Sequence, residues 1–256
     1  VHSVRVLDDM VNWNISLQTL DGILCHNGEL ELKKYRPCEM STFVEYDKKV
    51  EACYVDEKAI GELIPCTLEG CVMRICDIIA YLGKDRQDAM RLNLLKESPF
   101  TAGAIGTSNG EIINNFSVNI IENSYGKDYL KMDEEYFDAL RQAKKENYEM
   151  IYNNKSLNDL YENEIRPMFG ELYEELLRQA ESGDKSSVFY RHHMAYMEKN
   201  NFYVKSHVRK PYAEQEKNQL VVDYLASMTD DYFIALYHYL FPKGKHDVKF
   251  VGYFDL

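Results

Sequence analysis

No window of this chain holds eighteen uninterrupted apolar residues, and its start has no basic stretch leading into an apolar one. A membrane-spanning helix and a secretory signal are therefore not expected, and a cytoplasmic location is the default. No stretch is rich enough in Gly, Ser or Pro to mark a linker, and no internal repeat is visible. The six cysteines, at 25, 38, 53, 66, 71 and 76, include no CxxC pair. Cys66, Cys71 and Cys76 are spaced by five, which scatters them around a helix instead of converging them on one ion. Buried reduced thiols are expected, not zinc ligands or disulfides. Basic residues are also in deficit, with 30 Lys and Arg against 42 Asp and Glu, a formal net charge of −12. Such a field disfavours DNA and RNA as partners, although one nucleotide can be held by a divalent ion and a few local basic groups.

What is present is helical periodicity. At 256 residues and 45% hydrophobic the chain can bury a sizeable core. Apolar positions recur at helical spacing over about residues 3–12, 16–26, 56–63, 67–83, 85–94, 110–124, 133–153, 156–181, 186–199 and 215–241. Ser108-Asn109 reads as an N-cap for the helix that follows. An all-α fold is expected, with a short β-hairpin formed by 202–208 and 245–254, where the pattern alternates.

The segment from Gly70 to Gly83, GCVMRICDIIAYLG, together with the following KDRQDA carries Asp77, Tyr81 and Asp85 at i, i+4 and i+8. Each step of four turns the side chain by about 40° and rises about 6 Å, so the three form one polar ladder. Ile75, Ile78, Ile79 and Leu82 cover the other directions, the pattern of a helix buried except along one polar seam. Carboxylates in such a seam need a cation, a hydrogen-bonding ligand or basic side chains opposite them. On spacing alone Asp77 is either a helix carboxylate paired with Arg74 or Arg86, or a metal ligand. Tyr81 is one of 20 tyrosines and is equally open to a core role.

RICDIIAYLGKDRQDA resembles the helix of the HD-domain deoxynucleoside triphosphate triphosphohydrolases (dGTPase-like), in which Asp, Tyr and Asp recur at intervals of four before an acidic stretch ending in Asp-Ala. Asp77, Tyr81, Asp85, Asp88 and Ala89 fit that pattern. VVDYLASMTDDYFIALYHYLFP, from Val221 to Pro242, is similar to the family's C-terminal DYIAGMTDRYA helix. Asn14 to Glu29, Gly110 to Gly126 and Lys144 to Asn154 add further likeness in the same order.

The resemblance implies the C-terminal part of an HD-domain helical bundle over residues 1–98, with a helical C-terminal region, 99–256, packed on it. It implies metal-dependent hydrolysis of a deoxynucleoside triphosphate to deoxynucleoside and triphosphate. Asp77 would ligate a divalent ion (Mn, Mg, Fe or Zn), Tyr81 would pack on the sugar and Asp85 would accept from its 3′-hydroxyl. Arg209, Lys210 and Tyr212, in RKPY, would supply triphosphate and sugar contacts. Asp88, despite fitting the pattern, is expected to form a local cap or ion pair. A homo-oligomer is a further implication.

The family's early His and His-Asp metal ligands have no counterpart here. The opening VHSVRVLDDM resembles the stretch after the catalytic histidines, so the chain is expected to start partway into the HD domain and to be inactive alone. His26-Asn27 is not a substitute, because Asn27-Gly28 reads as a helix C-cap and turn. In Arg191-His192-His193, adjacent helical residues point about 100° apart, so one histidine is expected in the core and one outside. The alternatives are an HD-type phosphohydrolase acting on another nucleotide, or a non-catalytic helical relative serving assembly or ligand sensing.

Overall fold

A computed structural model describes residues 14–26, 31–91, 94–95, 100–200, 203–204 and 210–248, with 203, 204 and 210 by backbone alone. The chain forms two compact units that divide between Asn154 and Lys155.

The first unit is organised around one long helix. Helix α1 spans Leu17–Cys25, strand β1 Lys34–Tyr35, α2 Phe43–Val55, the single turn α3 Lys58–Gly61 and α4 Leu68–Arg91. Helix α5 (Asn109–Ser124), strand β2 (Leu130–Lys131) and α6 (Glu134–Asn147) follow, and a π-helical turn, Tyr148–Tyr152, ends the unit. At 24 residues α4 is about 36 Å long. Its Cys71, Ile75, Ile78, Ile79 and Leu82 face a core completed by Ile105, Ile112, Phe116 and Leu140. The division expected at 98/99 lies inside this unit, because α5 and α6 bury their apolar faces against α4.

Two helices expected at 67–83 and 85–94 are thus one. Gly83, at the boundary expected between them, serves a helix crossing: a Cβ there would lie 2.9 Å from the Asn109 Cα and 2.7 Å from its Oδ1. The close approach lets α5 begin against α4. Ser108 caps α5 as expected, within a capping box closed by Glu111.

Helix α2 lies where no helix is expected. Its only buried residues are Tyr46 and Cys53, a stripe too thin to show through the charged surface. The signal that marks it is the capping box of Thr42 and Glu45. Strands β1 and β2 pair antiparallel, Lys34 with Lys131 and Tyr35 with Leu130, and two-residue strands carry no readable alternation. The fully buried Asp21 of α1 accepts from Lys49 Nζ at 2.6 Å and from the Cys66 amide at 2.6 Å. The same ammonium donates to the Ile64 carbonyl, so one ion pair joins α1, α2 and the loop before α4.

The second unit holds α7 (Lys155–Leu160), a π turn (Tyr161–Ile165), α8 (Arg166–Ser182), a π-helical segment (Phe189–Met194), α9 (Ala195–Lys199), α10 (Lys217–Ala226) and α11 (Asp230–Leu240). Pro167, near the start of α8, cannot donate to the helical ladder and crowds the preceding turn, which widens to π geometry immediately before it. Helix α8 packs on α10, and Phe169 of α8 meets Phe233 of α11 at a ring distance of 4.2 Å. The single helix expected at 215–241 is broken, because Thr229 caps a new helix by accepting from the Tyr232 amide. The extended segment also pairs differently from expectation. Strand β3 (Tyr203–Val204) joins β4 (Lys210–Pro211), residues 245–248 are not in a strand, and 249–254 lie outside the described residues, as does the helix expected at 3–12.

All six cysteines are free. Cys25, Cys53 and Cys71 are buried as expected, whereas Cys38 and Cys66 are half-buried and Cys76 is exposed. Burial pushes the Cys25 thiol up to about 12, reinforced by the Asp21 carboxylate.

Two substitutions test this framework by thermal melting. Gly83→Ala should destabilise by about 1–3 kcal/mol, since the added methyl meets backbone that cannot move without shifting α5. Asp21→Ala should cost about 3–5 kcal/mol, because it leaves the Lys49 ammonium uncompensated.

Candidate ligand site on the central helix

The ladder on α4 is present, but solvent covers one end of it. Asp77 is exposed and makes no hydrogen bond or ion pair among the described residues. Tyr81 and Asp85 are half-buried one and two turns further along. The pairings considered for Asp77 are not formed. Arg74 is buried and donates to the Leu63 carbonyl, and Arg86 points the other way, into the core. Asp88 pairs locally with Lys84 at 2.7 Å, as expected.

Arg86 forms the buried foundation of the site. Its Nε donates to Asn147 Oδ1 at 2.8 Å, and its Nη2 donates to the Ala143 carbonyl at 3.1 Å and to Glu146 Oε2 at 3.0 Å. The guanidinium lies 4.0 Å over the Phe100 ring. Asn147 in turn donates to the Leu82 carbonyl of α4 at 3.0 Å. Glu146 also accepts from Thr101 Oγ1 at 2.7 Å and from Gln142 at 3.0 Å. Burial pushes the Glu146 carboxyl up, but the bonds from Thr101 and Gln142 and the Arg86 charge outweigh it and hold the carboxyl below the ordinary carboxylate range.

This clamp fixes the end of α6 on α4, and the π turn that continues α6 carries Tyr152 to the seam. The Tyr152 hydroxyl donates to Asp85 Oδ2. Burial, then the bond to Asp85 and its charge, raise the Tyr152 phenol well above its ordinary value, with Tyr81 adding to the effect. The phenol is therefore a permanent donor. Tyr148 packs edge-on to Tyr152 at 5.1 Å. Tyr81, Asp85 and Tyr152, with Tyr148 beside them, make a patch of aromatic rings around one carboxylate, a combination suited to a sugar, which offers both an apolar face and hydroxyl donors.

Arg209 and the Lys210 side chain lie outside the described residues. Tyr212 is buried in the second unit at 2% exposure, its hydroxyl 2.9 Å from His193 Nε2 and donating to Asp223 at 3.1 Å. Its expected contact with a substrate is thus replaced by a core role. Burial pushes His193 down to about 4, against the pull of Asp223, so it is a neutral core histidine. His192 is exposed, the split expected for the pair. The His26 ring stands 2.6 Å from the Ile23 carbonyl at the end of α1, while Asn27 and Gly28 lie outside the described residues. Among the described residues no group of three or more His, Cys, Asp or Glu side chains is placed to hold a metal ion. Asp77 alone does not make a metal centre.

Residues 130–239, from β2 to near the end of α11, match the model of the phosphohydrolase-associated domain. Over 181 residues the chain is 27% identical to a deoxyguanosinetriphosphate triphosphohydrolase-like protein of Caldanaerobacter subterraneus, covering 69% of this chain and 47% of that one. The chain is thus similar to the HD-domain dGTPase-like proteins. Proteins of the same description from Clostridium perfringens and Clostridium tetani are 25% and 24% identical over 228 and 256 residues, covering 86% and 95% of this chain and 52% and 59% of theirs. The chain therefore spans about half the length of the curated relatives it matches. HD-type phosphohydrolases generally use divalent metals. No solved structure matches. No helix among the described residues is long and apolar enough to cross a membrane.

The Arg86 clamp predicts an acid limb of stability. Because the folded Glu146 carboxyl lies below its ordinary 4.5, its stabilisation is complete above about pH 4.5 and is lost as pH falls through the folded value. Glu146→Gln should lower stability at pH 7 by about 3–5 kcal/mol, and the gap to wild type should narrow as pH drops toward 3, measured by urea unfolding.

Proposed function

We propose that this chain carries the deoxyribose-recognising part of a metal-dependent enzyme that hydrolyses deoxynucleoside triphosphates to deoxynucleoside and intact triphosphate. The observation that carries the reading is Asp85, fixed by Tyr152 one turn beyond Tyr81 on the open seam of α4. The half-buried ring of Tyr81 packs against the sugar, and a 2′-hydroxyl pressed on that ring would lose its water without gaining a partner. Such a mismatch costs about 1–3 kcal/mol, enough to favour deoxyribose by roughly tenfold or more. Asp85 accepts from the 3′-hydroxyl.

Asp77 is proposed as one ligand of a divalent ion of the Mn, Mg, Fe or Zn kind. The described residues do not complete that site, and the steps a metal would carry are not assigned to them. The chain's own residues bind and orient the sugar end of the substrate.

Calorimetric titration of the chain with dGTP and GTP tests the reading. The expected result is tighter binding of dGTP by about tenfold or more, with Tyr81→Ala removing the preference. Equal binding of the two nucleotides, or none, overturns it. In a hydrolysis assay over a nucleotide panel, release of deoxynucleoside with triphosphate fits the proposal, and release of orthophosphate or pyrophosphate assigns another HD-type chemistry.

A further inference from the structure

The second unit holds a cavity of about 570 Å³ that shares no residue with the seam of α4. It is lined by Arg191 and His192 from the π-helical segment, by Tyr224 and Met228 near the end of α10, and by Thr229 and Tyr232 at the start of α11. In a chain with 42 acids against 30 bases, this lining includes an arginine and a histidine and no carboxylate. Asp230 and Asp231, next in sequence, are exposed and are not among its walls.

The hydrogen-bond directions at this cavity are fixed by burial. Tyr224 is 4% exposed, and among the described residues its hydroxyl has one hydrogen-bond partner, Tyr232 Oη at 2.6 Å. Burial, then that bond, raise the Tyr224 phenol well above its ordinary value, so it keeps its proton and donates it to Tyr232. Tyr232 is then free to donate its own hydrogen to His192 Nδ1, 2.8 Å away. With Nδ1 accepting, the neutral imidazole carries its hydrogen on Nε2, where no described residue accepts it.

Two more donors stand beside that nitrogen in the lining. Thr229 Oγ1 accepts from the Tyr232 amide at 3.3 Å, and its own hydrogen has no acceptor among the described residues. The Arg191 guanidinium likewise has none. Three side chains of one cavity thus carry unspent donors, and one of them is a cation. Such a set suits a phosphate, since a guanidinium engages two oxygens side by side and an imidazole N–H and a hydroxyl can reach others. A bare phosphate fills only a small part of the cavity, and Met228 and the Tyr232 ring offer an apolar wall to an attached organic group.

We propose that this cavity binds a small phosphate monoester, with Arg191, His192 and Thr229 on the phosphate and Met228 and Tyr232 on the organic group. The site does not rest on the sugar reading of α4.

NMR of the whole chain carrying isotope-labelled histidine tests the site, with inorganic phosphate and phenyl phosphate as probes, in EDTA at constant ionic strength. The His192 signals are those lost in His192→Asn. In the free chain, with the ring neutral, they are expected to show the hydrogen on Nε2. Phenyl phosphate should shift them saturably and bind about threefold or more tighter than inorganic phosphate. Arg191→Gln should weaken both probes by about tenfold, and Met228→Ala should weaken phenyl phosphate alone. Arg191 is exposed, so its replacement should leave the melting temperature unchanged, which separates lost binding from lost folding. No saturable shift with either probe, a hydrogen on Nδ1, or unchanged affinity in Arg191→Gln overturns the site. Equal affinity for the two probes overturns the monoester as its ligand.

Discussion

The placement of every residue around the candidate site depends on a buried guanidinium. Arg86 is 2% exposed and faces away from the polar seam of its own helix. An unpaired charge there would cost several kcal/mol, so the core must supply acceptors. Those for Nε and Nη2 come from one short stretch, the Ala143 carbonyl, Glu146 and Asn147 at the end of α6, while Nη1 is buried without an acceptor among the described residues. A hydrophobic contact could tolerate sliding between α4 and α6, but directional bonds to a planar, rigid group cannot. The clamp sets the register of the two helices, and that register brings the following turn over Asp85.

Tyrosine hydroxyls are used throughout the chain as structural pins. Tyr190 donates to the Ala180 carbonyl, Tyr237 to Glu171 and Tyr212 to Asp223, while Tyr35 accepts from the Leu32 amide. The bonds of Tyr190 and Tyr212 satisfy polar groups that burial would otherwise leave unpaired. Tyr152 differs because the group it engages is a seam carboxylate at the surface, where water could serve instead.

The ladder of Asp77, Tyr81 and Asp85 was legible because helical periodicity is a property of spacing alone. The Ser108 cap and the Lys84–Asp88 pair were legible for the same reason, being local. The boundary expected between 83 and 85 is absent, because Gly83 admits the neighbouring helix, and the approach of Asn109 that requires a glycine there is not visible in the sequence. Helix α2 escaped because its buried stripe is two residues wide, although the Thr42 and Glu45 pair that starts it was in view. Arg86 was legible as a base near the acids, yet its direction is set by Glu146 and Asn147, some sixty positions away. Tyr152 lay within a stretch that resembled the family, but its role depends on a π turn for which periodicity has no template.

That turn has a consequence for how the chain can vary in length. A π turn is an α-helix carrying one residue more than its register requires, and each residue rotates the helix by about 100°. Losing any one residue between Tyr148 and Tyr152 would let the segment relax to ordinary α geometry with little harm to the core. It would also rotate everything after the deletion by a quarter turn or more relative to α4, carrying the phenol off Asp85. The residue count of this segment is therefore what keeps the Tyr152 hydroxyl in register with Asp85.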